Sequence, residues 1–448
     1  MPATQARASI DHARLGALAN ERVGWQDKAI PPAFWGCTVA EVLSSAPRLS
    51  QLPTPLFTLS APAMAANIKA LANWCDARGL SLAPHGKTSM APALWAQQLA
   101  AGAWAITVAN LAQLAIARAF GVSRVMVANA VISPLGLRWI ADELAADPSL
   151  QILTWADSTD TVELMHHALT SHAAEHPDTA FRQVDVLVER GGAQGRTGAR
   201  DESTAIEIAE AVAASTTLRL AGVAGYEGAL AHETDEASLR TVRGYLRELA
   251  ALHASIGALG LYPRDITPVV TAGGSAYFDL VGEELAALTT DGTRVVLRSG
   301  AYFAHDDGFY RHISPLGAQP RTTGARLVSA MHGWVRITSQ PEPGLALFDA
   351  GKRDLPFDEG LPEPQLLRSR TPGEPARALV GLVVSQLNDQ HGFLRFSPAG
   401  PAPVHIGDEL RLGLSHPCTA FDKWGLIPVI DDPDSPDPLV VDLLRTFF

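Results

Sequence analysis

Between residues 60 and 300 the chain repeats one pattern: a short apolar run, then a longer segment of helical periodicity. The runs are Ser81–His85, Ala105–Ala109, Arg124–Ala128, Gln151–Trp155, Val184–Glu189, Leu218–Gly225, Pro268–Thr271 and Thr293–Leu297. Before the first of them, Met64, Ile68, Leu71 and Cys75 recur at helical spacing within Pro62–Arg78. Ser60 stands ready as N-cap, with Pro62 in the first turn. Eight strands separated by helices predict an α/β fold, a (β/α)8 barrel. A doubly wound open sheet has the same local pattern and stays as the alternative. Pro55–Leu59 reads as one more strand, outside the eight.

After residue 300 the texture changes. Ala325–Leu327, Val335–Thr338, Leu345–Asp349, Ala378–Ser385, Phe393–Phe396 and Asp408–Leu412 are short, strand-like and separated by Pro/Gly-rich turns. They predict an antiparallel β domain, with Arg353–Pro375 as a long surface loop inside it.

A chain of 448 residues has room for these two domains, and 47% apolar against 18% charged residues is the balance of a folded protein. The net charge of −12 argues against nucleic acid or an anionic membrane as partner. Three cysteines, Cys37, Cys75 and Cys418, are too few for a disulfide framework and fit a reducing compartment. The opening residues show no secretory pattern, and no apolar run reaches the ~18 residues of a membrane span. The expectation is a cytoplasmic protein.

Barrel enzymes carry their reacting groups at the C-terminal ends of the strands, and several chemically distinctive residues fall there. Lys87 follows the first strand in Pro84-His85-Gly86-Lys87-Thr88. An ammonium at the end of a buried strand must shed water, a cost relieved when the amine is tied up as an imine. Arg196 follows the fifth strand in a loop with four glycines, and Tyr226 ends the sixth. After the seventh, Gly273, Gly274 and Ser275 offer backbone N–H groups and a hydroxyl to a phosphate. His416 and Cys418 lie two apart near the C-terminus; on a strand they share one face, and thiolate with imidazole favours zinc. Singly, each has an ordinary reading: a solvated lysine or arginine, a tyrosine closing the barrel mouth, a common Gly-Gly turn, a buried cysteine beside a bonded histidine. Lysine, phosphate cradle and soft metal pair together point to pyridoxal 5'-phosphate chemistry assisted by a metal.

At Pro84-His85-Gly86-Lys87-Thr88 the chain resembles the D-serine dehydratase and D-threonine aldolase family, built on the alanine racemase-like barrel. The resemblance continues through Gly195–Gly198, Gly225–Gly228, Ala272–Ser275, Arg298–Tyr302, Asp349–Lys352, Asp389–Gly392 and His416–Cys418, and so spans most of residues 55–425. It implies a barrel over 61–300 and a β domain made of 1–60 and 301–448. It implies that Lys87 carries the cofactor as a Schiff base, with His85 and Tyr226 beside it and Arg196 on its phenolic oxygen. Gly273, Gly274 and Ser275 would hold the phosphate, and His416 and Cys418 a zinc or other divalent ion. It also implies a homodimer. Where the family's lysine motif has Arg before it and His-Lys after the threonine, this chain has Ala83 and Ser89-Met90, a departure that bears on how a substrate carboxylate is held.

The expected activity is dehydration of a D-β-hydroxy amino acid such as D-serine, D-threonine or D-phenylserine to a 2-oxo acid and ammonia. The alternative is retro-aldol cleavage to glycine and an aldehyde. By resemblance, aldolases carry a carboxylate at the second metal position and dehydratases a cysteine, as here with Cys418. An amino acid racemase or a non-catalytic carrier of the cofactor would leave the metal pair unexplained.

Overall fold

The computed structural model describes residues 7–369 and 374–448. The opening residues 1–6, and 370–373 of the expected loop, lie outside the described residues. The chain divides into two compact units: residues up to Asp11 with Leu71–Lys87 and Trp95–Gly300, and His12–Ala70 with Thr88–Leu94 and Ala301–Phe448.

The first unit holds eight parallel strands: β1 Ser81–Leu82, β2 Ile106–Val108, β3 Arg124–Ala130, β4 Gln151–Ala156, β5 Val184–Arg190, β6 Leu218–Gly225, β7 Val269–Ala272 and β8 Arg294–Leu297. Each pairs with its neighbours in chain order from β2 to β8, and β8 pairs with β1. The circle closes just after β1. Trp104 N donates to Leu82 O at 2.6 Å, Thr107 N to Pro84 O at 2.9 Å, and His85 bridges to Thr107. Closure excludes the open sheet and leaves no strand edge. Small and large apolar side chains fill the interior, among them Ala83, Ala105, Met126, Leu153, Leu187, Ala221 and Val296.

The helices start where the sequence offers an N-cap oxygen. Asn110, Ser133, Ser158, Asp201 and Asp235 each accept the backbone N–H three residues on. Short capped βα turns hold the C-terminal ends of the strands in fixed positions, and that is where reacting groups are placed in barrels.

The second unit is built on a sheet with spatial order Arg377–Ala378, Glu363–Arg368, Glu409–Gly413, Met331–Glu342, Leu56–Ser60, Leu426–Ile430, Val440–Arg445. The long strand Met331–Glu342 continues into a second ladder with Leu345–Phe348, Gly392–Arg395 and Val383–Leu387. All pairings are antiparallel except that of Leu56–Ser60 with Leu426–Ile430. Short helices from residues 12–52 cover this sheet: Val23, Ile30, Val39, Val42, Leu49 and Leu52 pack with Trp334, Leu426, Ile430, Val440 and Leu443. Ser60 does cap the helix Ala61–Asp76, accepting from Ala63 N at 3.4 Å.

Three expectations need correcting. Ala325–Leu327 is not a strand. Glu363–Arg368, inside the expected loop, is one, because Glu409–Gly413 gives its backbone groups partners. Leu426–Ile430 and Val440–Arg445 were not anticipated; Pro428 and the surrounding Asp/Pro turns hide a buried antiparallel pair. Among the described residues no helix is long and apolar enough to cross a membrane.

Candidate active site

Lys87 lies in a single 3-10 turn, Gly86–Thr88, at the C-terminal end of β1. Gly86 is required there, since a Cβ would lie 2.8 Å from both Ile106 Cγ2 and the Trp95 indole, whose N–H donates to Gly86 O at 3.2 Å. That close packing fixes where the lysine leaves the barrel. Among the described residues the Lys87 amine has no hydrogen-bond or ion-pair partner.

Around it the first unit gathers positive charge. Burial holds His85 well below the usual imidazole range, and the charges of Lys87, Arg298 and Arg196 push it the same way. His85 is therefore neutral at pH 7, with a buried Nδ1 that has no hydrogen-bond partner among the described residues. Arg298 is buried, donates to Gly225 O and lies over the Trp155 ring at 5.5 Å. Burial lowers its basicity, and Glu227 and Glu189 oppose the shift. Arg196 lies over the Tyr226 ring at 5.2 Å. Tyr226 is held through its backbone, its N–H donating to Tyr245 Oη at 3.0 Å, and Tyr245 donates to Arg190 O at 2.5 Å.

The Gly273-Gly274 turn differs from expectation. Glu227 has no exposed surface, and its carboxylate accepts from Gly273 N at 2.9 Å and Gly274 N at 2.7 Å. Gly273 has φ of +98°, a conformation that suits glycine and turns successive N–H groups the same way. The turn is thus an anion cradle whose two glycine donors are given to a carboxylate of the protein. Ser275, buried, follows directly. Gly274 also admits the Tyr226 ring, 3.0 Å from where a Cβ would be.

An unpaired amine, an orphaned neutral imidazole and two arginines fit a planar, anionic aldehyde such as pyridoxal 5'-phosphate. Lys87, His85, Arg196 and Tyr226 meet that requirement as the residues stand. The phosphate role expected of Gly273 and Gly274 does not, while Glu227 holds their N–H groups.

In the second unit, His416 and Cys418 come together by a route other than a strand. His416 has φ of +50°, and Pro417 opens the short helix Pro417–Phe421, so a turn presents the pair. His416 Nδ1 lies 2.5 Å from Asp358 Oδ2, and Asp358 Oδ1 accepts from Thr419 Oγ1 at 2.7 Å. Asp306 fixes the backbone, accepting from His416 N at 3.0 Å and, on its other oxygen, from Gly308, Tyr310 and Arg311 N. Burial lowers the basicity of His416, but the hydrogen bond and charge of Cys418, with Asp358, outweigh it and raise it to about 9. Thr88 Oγ1, in the residue after Lys87, lies 3.4 Å from Cys418 Sγ. A carboxylate on Nδ1 leaves Nε2 for a metal, the arrangement common to metal-binding histidines. The imidazole–thiol pair fits a borderline-soft divalent ion with open positions.

Asp358, Asp306, Glu227 and Arg298 were not singled out in the sequence. Of these, Arg298 and Glu227 lie inside motifs already quoted for the resemblance, and their position at strand ends was the available signal.

Two parallel-barrel and antiparallel-sheet units of this kind define an alanine racemase-like fold. Alanine racemase from Bacillus anthracis superposes with a TM-score of 0.56 at 13% identity, covering 87% of this chain and 97% of that one. Residues 330–430 match the family described as "Putative serine dehydratase domain". In sequence the chain is related to D-threonine aldolase from Arthrobacter sp., 26% identical over 86% of this chain and 90% of that protein. It is likewise related to D-threo-3-hydroxyaspartate dehydratase from Delftia sp., 25% identical over 83% and 92%. D-threonine aldolase from Filomicrobium marinum superposes with a TM-score of 0.71 at 22% identity, covering 89% and 96%. A D-threo-3-hydroxyaspartate dehydratase of TM-score 0.70 and 21% identity is a histidine-to-alanine variant, covering 91% and 98%. Another, of TM-score 0.68 and 22% identity over 90% and 99%, is a cysteine-to-alanine variant in the metal-free form, changed two positions further along.

Proposed function

We propose that this chain is a pyridoxal 5'-phosphate-dependent lyase that converts D-β-hydroxy amino acids to 2-oxo acids and ammonia with the help of a divalent metal. The observation that carries the reading is the His416–Cys418 pair, oriented by Asp358 and touched by the residue that follows Lys87. Its two-residue spacing equals that of the histidine and cysteine altered in the dehydratase relatives.

When bound, the cofactor supplies an electron sink for charge at Cα, and the metal supplies Lewis acidity toward the β-hydroxyl. The chain's residues do the rest. Lys87 Nζ would hold the cofactor and is the base placed to take the substrate's Cα proton. His85, held neutral by burial, presents Nδ1 as a hydrogen-bonding group of lowered basicity. Arg196, which lies over the Tyr226 ring, would face the anionic part of the cofactor, with Tyr226 beside it. Asp358 holds His416 through Nδ1, which would make Nε2 the atom for the metal.

Retro-aldol cleavage to glycine and an aldehyde is the second reading, favoured by the relation to D-threonine aldolase. One experiment tests both. Zinc-loaded enzyme is given D-serine, D-threonine, D-phenylserine and D-threo-3-hydroxyaspartate, and ammonia and glycine are quantified. Ammonia with the matching 2-oxo acid, lost on chelation and in Cys418→Ala, supports the dehydratase; glycine with an aldehyde supports the aldolase. Neither product from any substrate refutes both. A homodimer is proposed as the assembly, to be checked by light scattering.

A further inference from the structure

We propose a second metal site in this protein, a zinc site made by His172, Glu175 and His176 on the outside of the barrel. It uses none of the residues of the proposed active site and stands independently of that reading.

The three residues close the helix Thr159–Glu175, in the sequence His172-Ala173-Ala174-Glu175-His176. Spacings of three and four put them on one helix face. One donor atom from each lies within 4.8 Å of the others. A tetrahedral zinc shell sets its donors about 3.3 Å apart, given Zn–N bonds of about 2.0–2.1 Å, so the three donors would draw together by up to about 1.5 Å around an ion.

Proximity alone would not carry a metal; the outer hydrogen bonds do. A ligating histidine donates its second ring nitrogen to a carboxylate or a backbone carbonyl, which fixes its tautomer and aim. Both imidazoles here are held in that way. His172 Nε2 is 2.9 Å from Asp142 Oδ1, and His176 Nδ1 is 3.0 Å from His172 O. The remaining nitrogens, Nδ1 of His172 and Nε2 of His176, have no hydrogen-bond partner among the described residues. The rings lie with centroids 4.4 Å apart, and one candidate ligand atom of each histidine and of Glu175 lies within 4.8 Å of the others.

The competing charge is weak. Arg138 reaches Glu175 at 3.4 Å, with both side chains substantially exposed, and such pairs add little. A divalent ion would replace it as the counter-charge. Two imidazoles and one carboxylate suit zinc over magnesium or calcium, and a fourth position is open to water.

The location argues for a structural role. The helix follows β4 and runs back to the face where the strands begin, opposite the strand ends that hold Lys87. Through Asp142 the site reaches the neighbouring helix Pro134–Ala146, so a bound ion ties two adjacent helices of the barrel wall.

The test uses the full chain carrying His416→Ala and Cys418→Ser, stripped of metal and titrated with zinc against a chromophoric chelator. The expected result is one equivalent of zinc bound and a higher Tm with zinc present. Glu175→Gln with His176→Ala should abolish both, and Asp142→Asn should weaken zinc binding by about tenfold or more. Absence of bound zinc overturns the proposal. So does zinc retained equally after the Glu175→Gln and His176→Ala changes, since the ion would then be adventitious.

Discussion

Replacing Glu227 with glutamine keeps the shape of the side chain and removes its charge, and the structure says what that does. Glu227 is fully buried, accepts two backbone N–H groups at 2.9 and 2.7 Å, and lies close enough to the buried Arg298 to raise its basicity. An amide has one acceptor oxygen, so one of the two donors would face an NH2 group instead. Losing a hydrogen bond to a charged group costs about 1.5–3 kcal/mol, and leaving a buried charge without its partner costs about 3–5 kcal/mol. These overlap, so about 3–5 kcal/mol is the expected total for Glu227→Gln. For a unit of this size that lowers Tm by roughly 6–20 °C, at about 2–4 °C per kcal/mol. Thermal and urea unfolding of the cofactor-free protein, followed by circular dichroism, measure it. A Tm within about 2 °C of the parent would refute the reasoning, because it would mean the two glycine N–H groups do not depend on this carboxylate. Binding of pyridoxal 5'-phosphate and of pyridoxal then separates two roles. If Glu227 shapes the phosphate site, the variant's preference for the phosphorylated form differs from the parent's.

Lys87→Ala should abolish turnover and the visible absorbance of lysine-bound cofactor, which spectra of the reconstituted protein would show; an unchanged spectrum would place the cofactor elsewhere. Asp358→Asn should weaken metal binding by about 10- to 100-fold through loss of the carboxylate that orients His416, as read by chelator competition. Cys418→Asp should shift metal preference from zinc toward manganese, since a carboxylate is the harder donor; metal-dependent product formation reports it. Stability should fall in mild acid. Burial holds His332 down at about 3, so the folded state keeps it neutral while the unfolded chain protonates it below about 6.5. Its contribution is present above pH 6.5 and is lost at up to about 1.4 kcal/mol per pH unit as pH falls toward 3. A His332→Gln variant with an equally steep loss would show that other groups are responsible.

The parts of the fold that the sequence exposes are those where burial repeats along the chain. The parallel strands are buried on both faces, so each appears as a continuous apolar run. The closure of the barrel does not appear that way. It depends on Trp104 N, Thr107 N and His85 meeting across a gap where the regular strand is only Ser81–Leu82, and pairing between distant strands leaves no local periodicity. The antiparallel unit is harder still, because its strands are partners of segments far away. Glu363–Arg368 reads as loop until Glu409–Gly413 lies beside it.

The site divides along the same line. Lys87, His416 and Cys418 are chemically conspicuous, so residue type and spacing find them. The groups that aim them are conspicuous only in three dimensions. Asp358 is 58 residues from His416, and Asp306 is 110 residues from it; in sequence both are ordinary acidic loop residues. The same holds for Glu227, whose neighbour Tyr226 reads by itself as a tyrosine closing the barrel mouth. Its burial follows from the glycines 46 and 47 positions later. Two adjacent N–H groups at a buried turn must find an acceptor, and a carboxylate from the preceding βα loop is the group within reach. A phosphate that took both donors would leave Glu227 buried with neither N–H group, facing an anion. A cofactor phosphate using this cradle would therefore have to sit toward Ser275 or move Glu227 aside, and the pyridoxal comparison above would separate the two, since a moved Glu227 would make the phosphate preference insensitive to its charge once the cofactor is bound.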